Sequence, residues 1–421
     1  MKKKILILGG KPIGSMELTQ RCHERGLYTI VSDYLPIESS PAKRIADEVW
    51  DISTNDIDAL AAKCKENGIN GVLTAVHEFN INRMIDLCEK LELPCYCIRD
   101  TWKYCDNKLE FKKLCSDAGI EVAKEYDYDT AVRKLSDYTS SVIVKPIDSS
   151  GSRGFSICKR TQELEAAIEK AKLFSPTEQF VIEDYIPYDA VIIHYTMHQG
   201  KCYFSGMTDK YSVRFPSTGA LVMGLQLMPS KGIRQFLDLV DSKARQMFEN
   251  AGFSDGPIWI ESFYDGAKRF VFNEMGYRFG GSMTNYPVQF FYQIDQMDLM
   301  IDVAMGEQGT TVEPRPYKGD LKYCILPIHL RKGKIMSITG LDEARDNDDI
   351  NAIAQVHYVG DTIDDWGSAQ QVFCYAHILY KNSGDLINKI NYLMQTIQVI
   401  DENNQNMLFT LFDINTLDDL C

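Results

Sequence analysis

Two carboxylates occur where a β-sheet would ordinarily place apolar side chains. Ile258-Trp259-Ile260-Glu261 and Phe270-Val271-Phe272-Asn273-Glu274 flank a Tyr264-Asp265-Gly266 turn signal, and each apolar run ends in a glutamate. The pattern reads as two neighbouring strands of a hairpin. Carboxylates on adjacent strands repel one another and lose hydration unless a cation lies between them. Magnesium carried on nucleotide phosphates takes one or two protein carboxylates, which makes Glu261 and Glu274 the candidate metal ligands. Arg278, in the following Met275-Gly276-Tyr277-Arg278-Phe279-Gly280-Gly281, is placed to meet an anionic group. The plainer alternative is a hairpin with one solvated acid and an Arg–Glu salt bridge.

Three further stretches have the residue types for nucleotide chemistry. Val142-Ile143-Val144-Lys145-Pro146 runs into Ser149-Ser150-Gly151-Ser152-Arg153-Gly154. Such a small-residue turn lets backbone N–H groups converge on phosphate oxygens, with the Lys145 ammonium beside them; ordinary hairpins use Ser/Gly turns too. Phe180-Val181-Ile182-Glu183-Asp184-Tyr185-Ile186-Pro187 reads as a strand leaving its sheet, with backbone free for an adenine edge and Glu183 for the exocyclic amine. An edge strand with solvated acids is its bland counterpart. Gly9-Gly10-Lys11-Pro12-Ile13-Gly14 follows the first strand, with Asp33 ending the second. It approaches a dinucleotide fingerprint, but the spacing is G-G-x-x-x-G and Pro12 removes an N–H. A tight strand-to-helix turn explains it as well.

The elements that must position these residues fall into three stretches. Up to about residue 100, strands Ile5–Leu8, Tyr28–Ser32, Gly71–Thr74 and Pro94–Cys97 alternate with helices near 15–25, 56–67 and 80–90, which implies a parallel sheet covered on both faces. His77-Glu78 follows the third strand at the carboxyl edge, where ligands gather in such sheets. From about 101 to 310, helices near 108–118 and 161–172 accompany mostly antiparallel strands, an α+β pattern. The remainder, 311–421, holds strand-like pieces, a helix near 385–398 and no cluster of reactive side chains.

Composition bounds the function class. A net charge of −14 argues against a sequence-independent nucleic-acid binder, which needs a basic surface. The 12 cysteines include no C-x-x-C pair, which reads as free thiols in a reducing compartment, not as a zinc site. The apolar run after Met1-Lys2-Lys3-Lys4 stops at Gly9, too soon for a signal peptide, and no stretch approaches the ~20 apolar residues of a membrane span. The expected setting is cytoplasmic, with no membrane and no nucleic acid as partner.

Taken in order, these pieces resemble the ATP-grasp superfamily, across about residues 1–310 and more loosely beyond. The resemblance rests on Asp106-Asn107-Lys108 at a helix start, Val144-Lys145-Pro146 with its loop, Glu183-Asp184-Tyr185-Ile186, Glu261, and Glu274 through Gly281. It is similar to the branch holding carbamoyl-phosphate-synthase-like proteins, biotin carboxylase and the L-amino-acid ligases. The resemblance implies an α/β and α+β architecture: a Rossmann-like pre-ATP-grasp domain (1–100), an ATP-grasp domain (101–310) with a lid at about 125–190 and a central antiparallel sheet, and a C-terminal appendage (311–421). Within that appendage, Gly333-Lys334-Ile335-Met336-Ser337-Ile338 resembles a hairpin strand of the amino-acid ligases.

Carried over by position, the family implies roles for individual residues. Lys108 and Lys145 would bind ATP phosphates, and the loop with Ser150, Gly151, Ser152 and Gly154 would close over them. Glu183, Tyr185 and Ile186 would line the adenine, with Asp189 at the ribose, because the usual ribose glutamate falls on Ala190. Glu261 and Glu274 would ligate Mg2+, or Mn2+ in its place; the asparagine that often joins them falls on Gly276. Arg278 would hold the substrate carboxylate or acyl phosphate, and Lys210 would reach the terminal phosphate. The implied activity is an ADP-forming ligase that activates a small carboxylate for an amine or another nucleophile. A homodimer is common in the class. The alternatives are a non-catalytic ATP-binding module and, from the glycine turn, an NAD(P)-dependent oxidoreductase.

Overall fold

The computed structural model describes residues 2–137, 140–147 and 154–419. Ser150, Gly151 and Ser152, expected at the phosphates, lie outside the described residues. Lys4–Leu8 is almost wholly buried, as a central strand covered on both faces must be. It pairs in parallel with Tyr28–Ser32 on one side and Gly71–Leu73 on the other. Glu48–Trp50, which the sequence pattern does not announce, adds the outer strand beside Tyr28–Ser32. Helices Ser15–Glu24, Ile57–Asn67 and Glu78–Leu91 accompany the sheet.

The expected strand Pro94–Cys97 is not a strand. Pro94 has no N–H for a ladder, and the chain here seats another element. Tyr96 Oη donates to the Tyr277 carbonyl at 3.1 Å, and Tyr277 Oη donates to the Tyr96 carbonyl at 3.0 Å. That reciprocal pair fixes the first α/β unit against the segment that leaves Glu274 for Arg278.

The glycine turn after the first strand is closed from inside. Gly10 N donates to Asp33 Oδ2 at 2.7 Å, Ser40 Oγ donates to the same oxygen at 2.8 Å, and the fully buried Lys43 lies 3.0 Å from Asp33 Oδ1. A Cβ at residue 10 would come within 2.3 Å of Ser40 Oγ. The acid that a dinucleotide site would turn toward a ribose is therefore engaged in holding the turn, which is what supports the structural reading of these glycines.

A small antiparallel sheet follows, in the order Glu125–Tyr126, Phe180–Asp184, Val142–Pro146, Ser156–Cys158. Helices Tyr128–Ser136 and Leu164–Leu173 bury Ala131, Leu135, Leu164 and Ala171 against Val142 and Val144, so this unit has a core of its own.

The largest sheet runs Phe270–Gly276, Gly256–Tyr264, Asp189–His198, Lys201–Arg214, Leu221–Met228, Lys322–Leu330, Val372–Tyr380, Ile350–Gln355, with Leu408–Phe409 also on Lys322–Leu330. It does not stop near residue 310. Gln226, Leu227 and Met228 pair with Ile325, Cys324 and Tyr323, so the tail's strands continue the central sheet. Gly333–Ile338 is not one hairpin strand: Gly333–Lys334 pairs with Thr362–Ile363, and Ser337–Thr339 pairs with Gln398–Ile400. Among the described residues, no helix is long and apolar enough to cross a membrane.

Replacing Asp33 by alanine leaves the buried Lys43 with the solvent-exposed Asp51 as its remaining carboxylate partner, beside the Asp33 and Leu35 carbonyls, and orphans the Gly10 N–H. Asp33→Ala is expected to lower unfolding stability by about 3 kcal/mol, read from the urea midpoint.

Candidate active site

The two strands predicted to carry the carboxylates are adjacent and antiparallel, and Glu261 stands directly opposite Glu274. Like charges in that register destabilise a sheet. The ladder is irregular at this point: Glu261 pairs with Glu274, Ser262 pairs with Phe272, and Asn273 is the extra residue of a bulge. The bulge brings Asn273 to the site, where its Nδ2 donates to Glu261 Oε1 at 2.9 Å.

Cations from three other elements converge on the pair. Lys210, on Lys201–Arg214, forms an ion pair with Glu261 Oε2. Lys145, on Val142–Pro146, donates to Asn273 Oδ1 at 3.1 Å and lies 2.9 Å from Glu183 Oε2. Lys108 begins the helix Lys108–Asp117, capped where Asn107 Oδ1 accepts from Leu109 N at 2.9 Å, and its Nζ donates to the Ile147 carbonyl at 3.4 Å.

The protonation equilibria of these groups follow from that arrangement. Burial and then the Glu261 charge raise the Glu274 pKa above the ordinary carboxylate range, against the opposing pull of Lys108, Lys210 and Lys145. Burial also works to raise Glu261, but Lys210, the Asn273 amide and Lys145 outweigh it and hold Glu261 low. Burial lowers Lys108. For Lys210 burial acts the same way, yet Glu261 and Glu274 win and its pKa is raised. Two opposed carboxylates, one held ionised and one pushed toward its proton, suit a divalent ion. No group of three His, Cys, Asp or Glu among the described residues could hold a metal. Two opposed carboxylates are a donor set that fits magnesium whose remaining oxygens come from phosphate and water.

A cavity of about 490 Å³ opens beside Glu274 and Lys108, walled by His77, Glu78, Tyr104 and Trp259, with Arg278 among its lining residues. Arg278 Nη2 lies 2.8 Å from Glu78 Oε1, its Nη1 donates to the Phe279 carbonyl at 2.8 Å, and its guanidinium stacks 5.1 Å above the Trp259 ring. The salt bridge read as the plain alternative exists, but it joins Arg278 to Glu78 of the first α/β unit and leaves Glu261 and Glu274 to the lysines. At Gly276 a Cβ would lie 2.3 Å from Trp259 Cε2, so the indole occupies the space that a side-chain ligand at 276 would need. Burial lowers the His77 pKa, Glu78 works to raise it and Arg278 to lower it.

The structure brings together Lys108, Lys145, Lys210, Glu261, Glu274 and Arg278. Glu183 is placed differently from expectation: the residue is 1% exposed and its carboxylate is bonded to Lys145 and Lys112, so it anchors Lys145 and does not face an open adenine wall. Tyr185 donates its N–H to the Ser141 carbonyl at 3.1 Å, and Ile186 packs with Ala123 and Val271. Asp189 begins its strand opposite Tyr264 and is exposed. None of these four lines the cavity beside Glu274. Gly154 adopts φ +79°, with Phe174 so close that a Cβ there would lie 2.5 Å from it. Sequence reading missed Asn273, Lys112 and Trp259. Strict alternation sets Asn273 on the face opposite Glu274, and only the bulge overrides it.

Residues 138–286 match the family model of the ATP-grasp domain. The formate-dependent phosphoribosylglycinamide formyltransferase of Wolinella succinogenes is 25% identical over 206 residues, covering 47% of this chain and 51% of that protein. Its counterpart in Methanocaldococcus jannaschii is 24% identical over 193 residues, covering 44% and 48%. The chain thus spans about half the length of the curated relatives it matches. Three solved structures share the fold across nearly the whole chain. Biotin carboxylase from Campylobacter jejuni aligns with a TM-score of 0.79 at 16% identity, covering 99% of this chain and 95% of that one. Phosphoribosylglycinamide synthetase from Anaerococcus prevotii gives 0.74 at 16%, covering 96% and 100%. L-amino acid ligase from Bacillus licheniformis gives 0.73 at 18%, covering 96% and 99%.

A carboxylate with a raised pKa favours the folded state when protonated, so its contribution to stability is lost as pH rises through that pKa. Glu274→Gln is therefore expected to raise the metal-free unfolding temperature at pH 7.5, by roughly 1–2 °C, in a thermal melt. In the wild type, Mn2+ affinity is expected to fall as pH drops toward the raised pKa, above the usual glutamate value of about 4.3. A pH series of Mn2+ titrations measures this.

Proposed function

We propose that this chain, an ATP-grasp protein by its domain match and its fold, is an ADP-forming ligase that activates a small carboxylate with ATP for attack by an amine. The observation that carries the reading is the in-register pair Glu261 and Glu274, ringed by Lys108, Lys145 and Lys210, beside a cavity that Arg278 helps to line. Glu261 and Glu274 would hold Mg2+, with Mn2+ as the alternative ion. When bound, the ion supplies charge neutralisation across the phosphates.

The chain's own residues then have distinct tasks. Lys108, Lys145 and Lys210 offset the charge that spreads over the phosphoryl oxygens, a reaction that needs positioning more than covalent help. A substrate carboxylate oxygen bonds to the terminal phosphorus as the bridge to ADP breaks. Arg278, stiffened by its stack on Trp259 and its pair with Glu78, is suited to orient that carboxylate in a bidentate manner. The amine nitrogen next bonds to the acyl carbon, phosphate departs, and the amine gives up a proton. Glu78, at the cavity wall, suits the amine while it still carries its charge.

In this reading residues 1–100 serve as the pre-ATP-grasp domain, 101–310 as the ATP-grasp domain with the lid at about 125–190, and 311–421 as the C-terminal part. Ser150, Gly151, Ser152 and Gly154 would cover the phosphates, and Tyr185, Ile186 and Asp189 the nucleoside. The partners are a small carboxylate and an amine, with a homodimer as the assembly. The cytoplasm is the proposed setting, which suits the free cysteines. The curated relatives named above act, by their names, on formate and phosphoribosylglycinamide. What supports this chain's reading is the class of chemistry, carboxylate activation.

A screen for ADP release with Mg-ATP, formate and the amino acids, each with and without a second amine, is expected to give at least one productive mixture. Glu274→Gln should reduce that rate at least about 100-fold with the fold intact by circular dichroism. Stabilisation of the wild type by NAD and none by Mg-ATP would overturn the proposal.

A further inference from the structure

We infer that Asn273 is a positioning residue that ties the phosphate-side lysine of the small sheet to the metal-side carboxylate of the large one, making divalent-ion and nucleotide binding cooperative. The inference deepens the Mg-ATP reading above and rests on it.

The bridge is direct. Lys145 Nζ donates to Asn273 Oδ1 at 3.1 Å, and Asn273 Nδ2 donates to Glu261 Oε1 at 2.9 Å. Lys145 belongs to the strand Val142–Pro146 of the four-stranded sheet, whereas Glu261 and Asn273 belong to the nine-stranded one. One carboxamide thus joins two separately cored units at the point where they face each other. Only a side chain that accepts from an ammonium and donates to a carboxylate, within one bulge's reach, can do this. Aspartate would set a third negative charge against Glu261 and Glu274; lysine and arginine have no acceptor.

The remaining valences at the site are already directed elsewhere. Glu261 Oε2 is taken by Lys210, and Lys145 has its second partner in Glu183 Oε2 at 2.9 Å. Asn273 therefore decides where Glu261 Oε1 points and where Lys145 sits relative to it. A cation drawn to Glu261 and a phosphate drawn to Lys145 each favour the geometry the other requires. Such coupling is reciprocal: the ion tightens the nucleotide by the factor with which the nucleotide tightens the ion. A residue that served only to fill the bulge would change stability and leave that factor alone.

The test measures the factor itself. Calorimetric titration of the full chain with the non-hydrolysable analogue AMP-PNP, with and without Mg2+, gives the wild-type gain in affinity. Asn273→Ala is expected to reduce that gain about tenfold, with a smaller change in the metal-free affinity. Asn273→Leu keeps the volume without the hydrogen bonds and should show the same loss; it serves if the alanine variant is poorly folded. A folded variant that retains the wild-type gain overturns the inference and leaves the Mg-ATP reading standing. A wild type that binds AMP-PNP no better with Mg2+ than without overturns both.

Discussion

Two like charges held opposite one another on paired strands constrain nearly everything around them. Glu261 and Glu274 are fixed in register by the backbone ladder and cannot relax by moving apart. The surrounding chain answers with positive charge from three directions, and each contribution is anchored independently. Lys210 lies on the same sheet, two strands from Glu261, Lys108 at a helix start held by its Asn107 cap, and Lys145 on the small sheet, braced by Glu183 and through it by Lys112. The anchoring matters because a preorganised cation stabilises developing negative charge without having to move when that charge appears. In the proposed function, the constraint that makes the empty pair electrostatically uncomfortable is what a ligand carrying its own divalent ion would relieve.

How much of this was legible in the sequence depended on whether local pattern or distant packing decided the outcome. The strands Tyr28–Ser32, Val142–Pro146 and Gly256–Tyr264 lie where their apolar runs end against turn residues. Their signals are local and strong. Pro94–Cys97 has the composition of a strand, but Tyr96 and Tyr277 lock it into another use, and that partner is nearly two hundred residues away. Leu221–Met228 contains Gly224 in place of clean alternation, and its pairing with both Lys201–Arg214 and the tail was invisible. For the site, residue type sufficed to foresee Glu261 and Glu274 on paired strands, because charge in an apolar setting stands out. It failed for Glu183, whose burial against two lysines is a tertiary fact, and for Asn273, whose orientation depends on one irregular step in a ladder.

The surroundings of Arg278 show a different use of space. Trp259 lies on the strand that carries Glu261, two residues earlier, and lines the cavity together with Glu274. Its indole fills the volume next to Gly276 and backs the Arg278 guanidinium. A glycine in the ladder is ordinarily a weakness; here it admits an aromatic wall against which the flat guanidinium of Arg278 stacks, partly desolvated. Glu261 and the Trp259–Arg278 stack are thus linked through one strand.

The continuity of the large sheet also has a meaning for the chain beyond the site. Leu221–Met228 would present a row of unsatisfied N–H and C=O groups if Lys322–Leu330 did not pair with it. An open row of that kind is a template for unwanted strand addition from other molecules. Lys322–Leu330 therefore closes the flank that the end of Leu221–Met228 would otherwise leave open in the large sheet. Evolutionary exchange of this tail for another would have to supply a matching strand at the same seam, which limits the swaps that such an architecture tolerates.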